Sequence, residues 1–112
     1  MLKDETIRRV LKFRDDRDWQ QFHTPKDLAI SLNLEAAELL EIFQWSGTEL
    51  ECRDKTDKLR EELADVLSYC ILMADVCGLD LDEIVNEKVA KNAVKYPVEK
   101  ARGSAAKYTE LR

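Results

Sequence analysis

The chain has 112 residues, 45% of them hydrophobic and 37% charged, with 18 Lys plus Arg against 23 Asp plus Glu for a formal net charge of −5. That length suits one globular domain over residues 1–112 and leaves little room for a separate regulatory module. The negative balance argues against general binding to a nucleic-acid backbone, and an acidic chain that handles an anionic ligand needs metal ions to do so.

No basic-then-apolar leader opens the sequence, and the longest apolar stretch, about Val66 to Val76, is broken by Ser68 and Asp75 and is too short to span a bilayer. A cytoplasmic chain with no membrane contact is the expectation. Cys52, Cys70 and Cys77 are odd in number and lack metal-site spacing; Cys70 lies in the apolar stretch and Cys77 directly follows it, and these two read as core residues. A domain this small buries only part of its surface, so a strongly apolar helix in it is expected to find cover on a second subunit.

Periodicity and punctuation mark four helices, and no stretch alternates as a half-buried strand does, so the class is all-α. The first helix, about Lys3 to Gln20, sets Ile7, Val10, Leu11 and Arg14 on one side and acids near its start, where the helix dipole favours them. Thr24-Pro25 then supplies a capping hydroxyl and a proline at the first helical position, where its missing N–H does no harm. The second helix runs to about Trp45, with Leu28, Leu32, Ala36, Leu39 and Phe43 at spacings of three and four, and Ser46-Gly47 closes it.

Thr48 to Lys58 is charged and reads as a loop. Leu59, Leu63, Val66, Leu67, Cys70, Leu72, Met73 and Val76 then make a third helix that is apolar nearly all round beyond Asp65, the pattern of a central element. Gly78 ends it. Asp80 and Glu83 read as a capping box opening a fourth helix to about Lys95, before Tyr96-Pro97; no secondary structure is assigned to residues 98–112 from sequence.

Two carboxylate pairs stand out. Glu35 and Glu38 lie one turn apart on the second helix, Glu62 and Asp65 one turn apart on the third, and antiparallel packing of the two helices would converge all four. In a chain with 23 acids, such pairs also arise as a solvated or ion-paired face. The setting favours a built site: Glu38 has Leu34 and Ile42 four residues to either side, Glu35 is followed by Leu39, and Asp65 stands before Tyr69 at the threshold of the apolar segment. Clustered, desolvated carboxylates must protonate or hold cations. Oxygen donors without clustered histidine suit Mg²⁺, with Mn²⁺ as substitute, and His23 is the only histidine.

Glu35-Ala-Ala-Glu38 followed by Glu62-Leu-Ala-Asp65 resembles the ExxE and ExxD signature of MazG-like, all-α nucleotide pyrophosphohydrolases. Asp18-Trp-Gln-Gln-Phe-His23, Glu41-Ile-Phe-Gln-Trp45 and Lys88 through Tyr96-Pro97 look like segments of the dCTP pyrophosphatase branch, so the likeness covers roughly residues 10 to 110. The resemblance implies a four-helix subunit that pairs into a dimer, commonly a dimer of dimers, with sites at subunit interfaces. It implies that Glu35, Glu38, Glu62 and Asp65 are the catalytic, magnesium-binding acids of a reaction that cuts a nucleoside triphosphate into a monophosphate and pyrophosphate.

It further implies that His23, Trp19 and Trp45 lie by the nucleobase and that Lys88, Asn92 and Tyr96 approach the phosphates. Read as residues alone, the two tryptophans suit a base platform or interface packing, His23 a base contact or a local cap, and Tyr69 the core or a phosphate. Lys88 and Asn92 share a helix face that can equally be solvated. Glu41 and Glu61 read as supporting or surface acids. dCTP or a close analogue is the expected substrate; an acidic helical interaction module, or a related phosphohydrolase with dUTP or histidine-pathway substrates, is the alternative.

Overall fold

The computed structural model describes residues 2–111. Among them it is all-helical, with no strand, and the chain divides into two compact units, one ending at Leu79 and the other starting at Asp80. Among the described residues, no helix is long and apolar enough to cross a membrane.

In the first unit, α1 (Asp4–Asp16) carries Asp4 and Glu5 in its first turn, as the dipole prefers. Its buried residue is Arg14, the polar member of the stripe read from sequence. The helix stops short of Gln20 because Asp18 turns left-handed, at φ 54°, while the N–H of Trp19 returns to the carbonyl of Arg14 at 3.1 Å. Aspartate tolerates that conformation better than most residues, and the chain passes into a 3₁₀ turn, Gln20–Phe22.

Thr24 caps α2 (Pro25–Glu41) as expected, its Oγ1 accepting from the N–H of Asp27 at 3.1 Å with Pro25 at the first position. The helix ends at Glu41, not Trp45. Beyond it the N–H groups of Phe43 and Gln44 reach back only three residues, and Trp45 enters the left-handed region at φ 67°. The freed carbonyl of Ile42 accepts instead from Lys55 Nζ at 3.2 Å.

That bond sets the end of α2 beside the start of α3 (Thr56–Cys77), which begins earlier than the apolar pattern suggests. With Glu35 meeting Glu62 farther along both helices, α2 and α3 run antiparallel. α3 ends as the sequence requires: Gly78 is left-handed at φ 66°, and the N–H of Leu79 bonds the carbonyl of Ala74 at 2.8 Å. Leu28, Ile42, Ile71, Leu72 and Ala74 form the buried apolar core, so α3 is central to this unit. Cys77 is exposed and Cys70 half-buried, against the expectation that both are core: an all-round apolar helix in a small unit cannot cover every face. The same shortage leaves Ile30, Leu34, Leu40, Leu63 and Leu67 open to solvent.

In the second unit, Asp80 caps α4 (Leu81–Lys95) by accepting from the N–H of Glu83 at 2.9 Å. Pro97 leads into a short α5 (Val98–Ala101), and the tail closes in a 3₁₀ turn, Tyr108–Glu110. Tyr108 packs edge-on against Tyr96, ring centroids 6.0 Å apart, and Lys95 Nζ lies 4.9 Å from the Tyr108 ring centre, so these contacts fold the tail onto the end of α4.

Candidate functional site

The acids meet where α2 and α3 face each other. Glu35, Glu62 and Asp65 each offer a carboxylate oxygen, and those oxygens lie within 4.8 Å of one another. Glu62 is buried, Glu35 half-buried and Asp65 exposed, so the group grades from the helix interface to solvent. Glu38 is exposed and lies outside that group of three, but near enough to Glu35 and Glu62 to raise the pKa of each.

Burial pushes the Glu35 carboxyl from 4.5 up to about 7, aided by the hydrogen bond to Glu38 and the negative charges of Glu38, Asp65 and Glu62. Glu62 is raised for the same kinds of reason, its hydrogen bond to Glu38 first, with Lys58 acting in the opposite direction. One oxygen on each of Glu35 and Glu62, the Oε2 atom, is buried with no hydrogen-bond partner. A buried acceptor left unpaired is costly, and a cation bound among these oxygens would satisfy both atoms. Oxygen donors of this kind suit a hard divalent cation such as Mg²⁺ or Mn²⁺. Glu41 and Glu61 are exposed.

The candidate base-contacting residues have distinct settings. His23 is half-buried, its Nδ1 is buried without a partner, and burial together with the Arg14 charge holds its pKa below the usual imidazole value. Trp19 is 46% exposed and packs edge-on against Phe13 at 5.8 Å. Trp45 is 92% exposed on its left-handed backbone, a conformation that a bulky residue rarely adopts. Tyr69 is half-buried, one turn beyond Asp65 on α3. Lys88, Asn92 and Tyr96 belong to the second unit, on α4 and at its C-terminal cap; Lys88 and Tyr96 are exposed and Asn92 half-buried.

Two charged features escaped the sequence reading. Arg14 is buried and divides its guanidinium between Asp15, at 2.8 Å, and Asp75 on α3, at 2.6 Å; only its place on the apolar side of α1 hinted at this. Lys58 lies 3.8 Å from Glu62 Oε1, a contact that the four-residue spacing could have suggested. Two open cavities, of about 300 and 560 Å³, flank the loop before α3, and neither is lined by the four acids. The acids stand apart from both cavities, because two unpaired buried oxygens belong to a group of three carboxylates there.

Residues 30–111 match the MazG-like family. The chain is 42% identical to dCTP pyrophosphatase 1 of Mus musculus over 113 aligned residues, covering 96% of this chain and 66% of that protein, and the same figures hold for dCTP pyrophosphatase 1 of Homo sapiens. It thus spans just under two thirds of the length of these relatives. A crystal structure of a pyrophosphatase from Archaeoglobus fulgidus superposes with a TM-score of 0.78 at 44% identity, covering 84% of this chain and 91% of that one. The match to the family over most of the sequence means that the chain belongs to the MazG-like family.

Proposed function

We propose that this chain is a divalent-cation-dependent nucleotide pyrophosphohydrolase that cuts a nucleoside triphosphate into a monophosphate and pyrophosphate. The observation that carries the reading is the acid cluster, with its unpartnered buried oxygens on Glu35 and Glu62. The identity to proteins named dCTP pyrophosphatase supports it and favours dCTP or a close analogue as substrate.

Glu35, Glu38, Glu62 and Asp65 are proposed to hold Mg²⁺, with Mn²⁺ as substitute. When bound, the cation supplies Lewis acidity and offsets the repulsion between carboxylates and triphosphate, which is several kcal/mol at close range in a partly dry site. Water attacks the α-phosphorus and pyrophosphate leaves. Glu35 or Glu38 is proposed to orient that water or take its proton.

His23, whose pKa is lowered by burial and by the Arg14 charge, is assigned to the base together with Trp19 and Trp45; Lys88, Asn92, Tyr96 and Tyr69 are assigned to the phosphates. The working unit is proposed to be one domain over residues 1–112, a four-helix bundle assembled with a partner subunit in a dimer or dimer of dimers. The open leucines and isoleucine on α2 and α3 support such pairing, because an apolar face of this kind gains stability when another subunit covers it. A cytoplasmic setting fits nucleotide chemistry. The test is pyrophosphate release from a panel of dNTPs and NTPs with and without chelator; a folded, metal-supplied protein that releases none would overturn the reading.

A further inference from the structure

Among the described residues, the side-chain charges that act on Glu35 and Glu62 are the negative ones of Glu38, Asp65 and Glu62 itself, and one positive charge, Lys58. Lys58 stands one turn before Glu62 in the first turns of α3, its Nζ 3.8 Å from Glu62 Oε1. That is too long for a hydrogen bond, and the lysine side chain is 63% exposed while the glutamate is 10% exposed. The ammonium therefore acts on Glu62 through its charge and does not clamp the carboxylate in one orientation. The other oxygen of Glu62, Oε2, is buried with no hydrogen-bond partner.

One carboxylate thus serves two competing demands: an ammonium tethered on its solvent side, and any cation that enters the acid cluster. We propose that Lys58 is a built-in counter-ion that opposes divalent-cation binding at Glu62 and so sets the metal concentration at which the site fills. The inference rests on the reading of the acids as a divalent-cation site. Its consequence is that the empty site is partly neutralised by the chain itself, so that filling it is favoured by the extra negative charge of an arriving nucleotide.

The test is Mn²⁺ binding without nucleotide, followed by loss of the free-ion paramagnetic resonance signal, in the native chain and in Lys58→Met and Lys58→Arg. For one partly exposed charge at this distance, Lys58→Met should tighten Mn²⁺ about threefold to tenfold, and Lys58→Arg should stay within about twofold of the native chain. Raising the salt concentration should narrow the difference. In chelator Lys58→Met should melt below the native chain, and saturating Mn²⁺ should remove that deficit. Equal or weaker Mn²⁺ binding by a folded Lys58→Met chain overturns the counter-ion role alone. Failure of the native chain to bind Mn²⁺ overturns the cation-site reading, and this proposal with it.

Discussion

Replacing Glu35 with glutamine should stabilise the metal-free protein while destroying its activity. A carboxyl raised from 4.5 to about 7 binds its proton more tightly in the folded than in the unfolded chain. Between those two values the folded state holds the extra proton, so stability falls as pH rises through the window and is lowest above about 7. At about 1.4 kcal/mol per pH unit, the full span corresponds to an upper bound of about 3 kcal/mol. Glu35 is only half-buried, and water relaxes part of the repulsion, so the expected gain for Glu35→Gln at pH ~7.5 is about 1–2 kcal/mol. For a chain of this length that is a rise in Tm of about 4–8 °C. Thermal melts in chelator at pH ~7.5 and ~4.5 measure it: the gap should be present at the first and nearly absent at the second, where Glu35 is protonated in the folded chain and about half protonated in the unfolded one. Added Mg²⁺ should raise the native Tm and leave the variant little changed. A variant that melts below the native chain at the higher pH, or a gap that persists at the lower one, would refute the electrostatic account of the cluster.

Two further substitutions probe the scaffold. Asp75→Asn removes one of the two charges that hold buried Arg14; with Asp15 still in place, the loss should be about 1–2 kcal/mol, read as a lower denaturation midpoint with an unchanged denaturant slope. Trp45→Gly removes a bulky side chain from a left-handed residue that is 92% exposed, so the isolated subunit should be at least as stable, while KM for the nucleotide rises if the indole serves the base. A large drop in the stability of the isolated subunit would show that the indole is held by packing instead.

Where a structural signal is local, the sequence displays it. Thr24-Pro25, Gly78 and Asp80 mark helix ends through groups within a few residues of themselves, and each does so in the structure. The ends of α1 and α2 were misread because Asp18 and Trp45, rather than glycines, take the left-handed turn; tryptophan in particular carries no such signal. Apolar spacing marks surface that needs cover without saying what provides it, so Leu34 and Leu67 share a pattern with the core yet are exposed. The same limit applies to the acids. Spacing gave Glu35 and Glu38 equal standing, whereas packing buries an oxygen of the first and leaves the second in solvent, a difference created by α3 rather than by α2's own sequence. The contact between Lys58 and Glu62 was legible from its four-residue spacing, but its meaning depends on the depth at which Glu62 is buried.

The central claim is that the four acids would hold a divalent cation, and that with it bound the chain hydrolyses a nucleoside triphosphate at the α-phosphorus. It is tested most directly by pyrophosphate release from dCTP and the other common nucleotides, with Mg²⁺ and with chelator, in the native chain and in Asp65→Ala. The account predicts release in step with the monophosphate, strongest for dCTP or a close analogue, abolished by chelator and by a folded Asp65→Ala chain. Release that survives chelation, or a folded Asp65→Ala chain that turns over normally, would contradict it.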